Sequence, residues 1–290
     1  MNTHYHFIGI GGIGMSGIAL ILKKQGYTIS GCDNNLKQKS IEILKKEGCL
    51  LYEEHSKKLC QNQHYDVLIY STAISKKHPE RLWAQKNNIP QIHRSEALAK
   101  IMQKKTSIAV AGSHGKTTTS SMLSHIFIET KTDPTLVIGG HLHSIKSNAR
   151  SGKGDIVIVE ADESDRSLLN LFPSCAVITN IDLEHLETYK NIDDVIETFK
   201  TFLSHVQKNG SCIINADDIN IQKIKIDNSF SFGQSEIADF KINDIILEPE
   251  KNSFFLKYKN KTFGPITTSL PGIHNIYNAS AAFVMQEPFF

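Results

Sequence analysis

Residues 107–127 constrain the fold more than any other stretch. An apolar run, 107–111, ends in GSHGKTTT (112–119), and a helical pattern then continues to Phe127. A strand that turns through glycines into a helix gathers backbone N–H groups at the positive end of the helix dipole, where they can cradle phosphate oxygens. Gly112, Ser113, His114 and Gly115 would form that cradle. Lys116 would reach the β and γ phosphates, and the Thr117 hydroxyl would ligate Mg²⁺, with Thr118 in the same turn. The first glycine lies three residues before Gly115, whereas the standard phosphate loop spaces the two by five.

A nucleotide loop needs a metal ligand at the tip of a neighbouring strand. The run DIVIVE (155–160) is an apolar strand ending in a carboxylate, followed by Ala-Asp-Glu-Ser-Asp. Mg²⁺ prefers oxygen ligands and usually only one or two protein carboxylates. Glu160, nearest the strand end, is therefore the expected ligand, and most of Asp162, Glu163 and Asp165 should serve otherwise. A second constellation, TNIDLEH (179–185), also follows an apolar strand. Its His185 comes after two carboxylates at the carboxyl end of a parallel strand, where such sheets bind ligands. That position points to a metal or phosphate role.

The N-terminal third has the same grammar. GIGGIGMSG (9–17) contains G-x-G-x-x-G between a strand at 5–10 and a helix at 13–24, and Asp33 ends the next strand, 27–32. This arrangement predicts a nucleotide diphosphate on the loop Gly11-Gly12-Ile13-Gly14-Met15-Ser16, with Asp33 on a ribose hydroxyl. A dinucleotide such as NAD(P), hence an oxidoreductase, satisfies it as well as any other diphosphate. Further strands at 67–70 and 90–92 alternate with helices at 37–47, 79–87 and 95–103, which implies a parallel, doubly wound α/β sheet. The polar run at 103–106 marks a boundary, giving domains 1–104 and 105–290; at ~150 residues per domain the length also suggests two. In the second, strands at 136–138, 155–159, 175–179 and 211–215 and a helix at 191–206 precede an antiparallel meander at 240–267 and a helix at 278–284.

Composition excludes several classes. Hydrophobic residues are 40% and charged residues 21%, an ordinary globular mixture. Lys plus Arg (32) against Asp plus Glu (30) leaves +2, so no strong field invites nucleic acid or an acidic membrane. The five cysteines (Cys32, Cys49, Cys60, Cys175 and Cys212) are scattered, which suits buried hydrophobes in a reducing compartment rather than a disulfide or zinc framework. With no basic-then-apolar leader and no run of ~20 apolar residues, a soluble cytoplasmic protein is expected.

Taken in order, GIGGIGMSG (9–17), STAI (71–74), HRSEAL (93–98), GSHGKTTT (112–119), EADESD (160–165), TNIDLEHLETY (179–189), NADD (215–218) and LPGIHNIYNASAA (270–282) resemble the Mur ligases. The resemblance implies a Rossmann-like UDP-sugar domain followed by a central ATPase domain of phosphate-loop type. It implies an ATP- and Mg²⁺-dependent amide-bond ligase of peptidoglycan synthesis, with the first loop holding the diphosphate of UDP-N-acetylmuramate rather than NAD. The GGIGMSG form favours members that add L-alanine over those that recycle wall fragments. By the same resemblance His274, Asn275 and Asn278 lie near the adenine, and Ser71, His93 and Arg94 near the muramyl substrate. Lys116 and His185 would neutralise charge developing on the transferred phosphoryl group. Ser113 replaces the usual Thr, and Asn180-Ile-Asp-Leu-Glu-His185 exchanges both acids of the usual N-I-E-x-D-H. The family continues into a third domain that binds the amino acid, and this chain ends before it, so a fragment that binds ligands without turning them over is the non-enzymatic alternative.

Overall fold

The computed structural model describes residues 2–53 and 64–286; Cys60 lies outside them. The chain divides into two compact units, one of Met1–Lys105 with Pro134–Gly154, the other of Thr106–Asp133 with Asp155–Phe290.

In the first unit β1 (His4–Ile8), β2 (Thr28–Asp33), β3 (Leu50–Glu53), β4 (Val67–Tyr70) and β5 (Gln91–His93) form a sheet in the order β3-β2-β1-β4-β5. Every pairing is parallel. Between the strands run α1 (Ile13–Lys24), α2 (Lys39–Lys46), α3 (Pro79–Lys86) and α4 (Arg94–Met102). The order reverses between β1 and β4, so the loops leaving those strands open a crevice of the kind that binds nucleotides. Strand β3 has no counterpart in the sequence reading. Its four residues are half-buried or exposed, and an edge strand of that length carries no hydrophobic period to read.

Beneath the sheet His6, Cys32 and Glu80 are buried together. They satisfy one another: His6 Nε2 lies 2.9 Å from Glu80 Oε2, Cys32 Sγ donates to Glu80 Oε1 at 3.0 Å, and His6 Nδ1 lies 2.7 Å from Ser30 Oγ. The hairpin of β7 (Thr135–Leu142) and β8 (Ser147–Arg150) also belongs to this unit. A contiguous division at residue 104 does not account for it. The reason is visible on α1: a Cβ on Gly17 would stand 3.1 Å from Asn148 Nδ2 and 3.4 Å from Val137 Cγ1. A bare glycine face lets the hairpin lie directly on the helix.

In the second unit β6 (Thr106–Ala111), β9 (Ile156–Glu160), β10 (Cys175–Ile178), β11 (Cys212–Asn215), β12 (Ser229–Gly233), β13 (Phe240–Leu247), β14 (Asn252–Tyr258) and β15 (Lys261–Thr268) run in the order β15-β14-β13-β12-β11-β10-β6-β9. From β9 to β13 the neighbours are parallel, and β13-β14-β15 are antiparallel. The expected meander is present, but its first strand also extends the parallel sheet through β12, which the sequence reading did not contain. Helices α5 (Lys116–Glu129), α6 (Ile192–Ser204) and α7 (Ile273–Gln286) complete the unit. Helix α7 starts five residues before the expected 278, because Gly272, at φ 90°, accepts from Asn275 N and opens the first turn at once.

Cys32, Cys49, Cys175 and Cys212 are buried and unpaired with one another. Burial pushes the Cys49 thiol up to about 11 and Cys212 to about 12, so these two are inert at neutral pH. Among the described residues no helix is long and apolar enough to cross a membrane.

Candidate functional site

The second unit's site is built where β6, β9 and β10 end. Gly112 and Gly115 take left-handed backbone (φ 136° and 80°), and Gly115 is the N-cap of α5. A Cβ at Gly115 would overlap Asn278 Oδ1, and one at Gly112 would overlap Thr179 Oγ1. Only glycine permits both the backbone turn and the close approach. The loop after β10 braces this turn from the side. Ser113 N donates to Asn180 O (3.1 Å), His114 N donates to Asn180 Oδ1 (2.7 Å), and Ser113 Oγ accepts from Asp182 N (2.8 Å). Serine at 113 therefore fills a hydroxyl's position.

Lys116 opens α5, and its Nζ donates to Gly112 O (2.6 Å), Ser113 O (3.1 Å) and Glu163 Oε1 (2.7 Å). Glu163 is only 3% exposed. Burial pushes its carboxyl above the usual range, although the Lys116 ammonium opposes that rise. Among the described residues the second oxygen, Oε2, is buried with no hydrogen-bond partner, an orphaned acceptor of the kind that an ion or ligand satisfies. His185 Nε2 stands 3.7 Å from Glu163 Oε1, and ligating atoms of Glu163, Glu184 and His185 all lie within 4.8 Å of one another. On the other side of Lys116, the Thr117 hydroxyl donates to Glu160 Oε2 (3.1 Å) and Ser120 Oγ to Glu160 Oε1 (2.8 Å). Thr118 follows, half-buried.

The remaining acids of the loop hold turns: Asp162 Oδ1 accepts from Ser164 N and Oγ, and Asp165 Oδ1 from Ser167 N. Sequence spacing chose Glu160 but did not single out Glu163. Nothing local distinguishes the two carboxylates, since the partner of Glu163 lies 47 residues earlier.

Beside the Gly112–Gly115 turn lies a cleft of about 400 Å³ bordered by Gly115, Asn180, Phe232, His274, Tyr277 and Asn278. Asn278 Oδ1 accepts from Thr119 Oγ1 (3.2 Å), Asn278 Nδ2 donates to Asn275 Oδ1 (3.2 Å), and Asn275 Nδ2 donates to Pro271 O (2.6 Å). Asn275 is thus spent on holding the helix start, while His274 faces the cleft. Sequence reasoning missed Tyr277 and Asp217, whose hydroxyl and carboxylate meet at 2.5 Å. Burial raises the Tyr277 phenol to about 12, with the Asp217 carboxylate adding to the rise. Burial would raise Asp217 too, but donors from Ser235, Tyr277 and Gln234 hold it below the usual carboxylate range.

In the first unit the expected residues gather at the carboxyl ends of β1, β2, β4 and β5. The turn Gly9–Gly14 leaves β1, with Gly12 N donating to Gly9 O (3.2 Å), and Met15 and Ser16 are buried in the first turns of α1. Ile13 is exposed at 47%. Asp33 Oδ2 accepts from Gly11 N (2.8 Å) and Oδ1 from Asn35 N (3.0 Å), so the carboxylate braces its own loops. Ser71 begins the turn after β4, with its carbonyl accepting from Ile74 N (2.9 Å). Thr72 Oγ1 lies 3.0 Å from His93 Nε2, and His93 caps α4. A Cβ at Gly14 would sit 3.4 Å from Arg94 Nη1, which puts that guanidinium against the glycine turn.

Known proteins resemble this chain over nearly all of its length. A Syntrophus aciditrophicus protein named UDP-N-acetylmuramate--L-alanine ligase is 43% identical over 98% of this chain, and a Persephonella marina protein of the same name is 45% identical over 96%. The chain spans 59% and 60% of the lengths of these two relatives. Among solved structures, the Thermotoga maritima UDP-N-acetylmuramate-alanine ligase superposes with a TM-score of 0.85 at 26% identity, over 99% of this chain and 65% of that one. The Neisseria UDP-N-acetylmuramate:L-alanyl-gamma-D-glutamyl-meso-diaminopimelate ligase shares the fold at a TM-score of 0.90 and 24% identity, over 99% and 94%. Residues 4–106 match the catalytic domain of the Mur ligase family, and residues 110–286 match the Mur ligase middle domain. With two glycine turns at the ends of parallel strands and matches running through both units, the chain belongs to the Mur ligase family.

Proposed function

We propose that this chain carries the nucleotide-sugar and ATP sites of a ligase that joins L-alanine to the lactyl carboxylate of UDP-N-acetylmuramate, releasing ADP and phosphate. The reaction serves peptidoglycan precursor synthesis in the cytoplasm. The observation that carries the reading is Lys116, held between two loop carbonyls and the buried Glu163 carboxylate at the mouth of a left-handed glycine turn. Relatives named for that activity at 43–45% identity support the choice of substrates.

Thr117 and Glu160 are the residues that would hold Mg²⁺, with Glu163, Glu184 and His185 as a second set. Oxygen donors and the unpartnered Glu163 Oε2 suit a hard cation. When bound, the ion neutralises charge on phosphate oxygens. The protein's own part is positional. Backbone N–H groups of 115–117, at the start of α5, receive the phosphates, since those of Ser113 and His114 already donate to Asn180, and Lys116 exchanges Glu163 for phosphate oxygens. His274 and Asn278 border the adenine, with Asn275 fixing their helix. In the first unit, Gly11 to Ser16, Asp33, Ser71, His93 and Arg94 would hold the UDP-sugar. The lactyl carboxylate then attacks the γ phosphorus with ADP leaving, and the amine of L-alanine displaces phosphate from the acyl phosphate. Such chemistry rests on alignment and charge neutralisation.

The test is an incubation with ATP, Mg²⁺, UDP-N-acetylmuramate and labelled L-alanine, read by chromatography, with equilibrium titrations of each nucleotide alongside. Saturable binding of UDP-N-acetylmuramate and Mg·ATP is expected, with NADH not competing. Tight NADH binding without affinity for UDP-N-acetylmuramate would replace this reading with an oxidoreductase.

A further inference from the structure

Three segments of the second unit meet at Arg166: the acidic loop after β9, the loop carrying His185, and the first turns of α6. Its Nη2 donates to Asp194 Oδ2 (2.6 Å) and to Thr188 O (3.2 Å), its Nη1 donates to Thr198 Oγ1 (3.2 Å), and its guanidinium lies 4.7 Å over the Tyr189 ring. Around this centre the two loops are bolted together. Thr188 Oγ1 donates to Ser164 O (2.6 Å), and buried Tyr189 donates from its hydroxyl to Glu163 O (2.6 Å). Asp194 also accepts from Lys190 N (3.2 Å), fixing the exit of the His185 loop. Both Arg166 and His185 have left-handed backbone, φ 59° and 55°. Non-glycine residues persist there only when their surroundings over-determine them, and here the surroundings are these bonds.

We propose that Arg166 is a positioning residue for the phosphate and cation site: with Asp194 and Tyr189 it sets the spacing between Glu163 and His185. The bonds of the clamp run to protein atoms. It acts on the main chain of Glu163 through Tyr189, and on His185 through Thr188 and Tyr189, whose N–H groups both donate to His185 O at 2.7 and 3.0 Å. A guanidinium suits the task because its planar fork serves three acceptors while its face stacks on a ring. Lysine at 166 would keep the charge and lose the fork. This inference rests on the reading of Glu163 and His185 as the second cation-binding set.

The experiment measures Mn²⁺ binding to the full chain with ATP by electron paramagnetic resonance, with the melting midpoint recorded for each protein. His185→Ala tests the underlying reading, and Arg166→Ala, Arg166→Lys and Asp194→Asn test the clamp. Expected is a roughly tenfold or greater weakening of Mn²⁺ in His185→Ala, Arg166→Ala and Asp194→Asn, with less than half of the loss recovered by Arg166→Lys. Melting midpoints should stay within a few degrees of the parent. Weakened His185→Ala beside parent-like Arg166→Ala and Asp194→Asn would overturn the clamp alone. Parent-like His185→Ala would overturn the reading of the cation set and the clamp's role with it. Weakening that only tracks a fall in melting midpoint across all clamp variants would reduce Arg166 to a structural residue.

Discussion

Glu163 holds a charge where the protein gives it few partners. Its carboxyl is 3% exposed, one oxygen meets Lys116, and the other has no hydrogen-bond partner among the described residues. Burial raises its folded-state pKa above the ordinary 4.5 despite the neighbouring ammonium. For a group raised in this way, the favourable contribution is complete below the unfolded value and is lost as pH climbs through the folded one. At neutral pH this upward shift therefore costs stability, as functional sites often do. Glu163→Gln should melt above the parent at pH 7, with the difference shrinking as pH falls toward 4.5, while its affinity for Mg·ATP drops. Thermal melts across pH 4–8 check the sign; a variant less stable than the parent at pH 7 would show that the Lys116 pair outweighs burial.

At the scale of elements, α1 and the β7–β8 hairpin show how one side chain decides packing. Gly17 sits mid-helix, where glycine costs about 1 kcal/mol against alanine, and the hairpin occupies the space its side chain would fill. Gly17→Ala should fall within about 1 kcal/mol of the parent, since better helix propensity offsets the 3.1 Å approach to Asn148 Nδ2. Gly17→Leu forces the hairpin off the helix and should cost at least ~1–3 kcal/mol, as overpacking does. Urea titration measures both. A leucine variant as stable as the parent would mean that the hairpin moves aside freely.

For the whole molecule, each unit carries its own glycine turn and its own set of polar side chains, so the two ligands of the proposed reaction should respond to different substitutions. Lys116→Ala should weaken Mg·ATP by about tenfold or more and leave UDP-N-acetylmuramate untouched. Gly11→Val, whose Cβ would stand 2.9 Å from Asp33 Oδ2, should do the reverse. Calorimetric titration of each ligand against each variant fills the matrix. Loss of both ligands in either variant would indicate general misfolding and remove the assignment of one site to each unit.

Much of this is legible in the amino-acid sequence. The strand-to-helix turns at 9–17 and 112–119, the carboxylate ending β9, and the alternation that makes both units α/β all follow from local propensity and spacing, which a chain carries within ten or so residues. Other features are not legible. Strand β3 is too short to show a period. The β7–β8 hairpin joins the first unit although it lies within the sequence of the second, because Gly17 offers it a bare face. Lys116 finds Glu163 rather than a nearer acid across 47 residues, and Arg166 finds Asp194 across 28. Local sequence limits which backbone shapes each segment can take. Which distant side chains then share a desolvated volume depends on how the elements stack, and that stacking makes one of several neighbouring carboxylates the partner of Lys116 at the glycine turn.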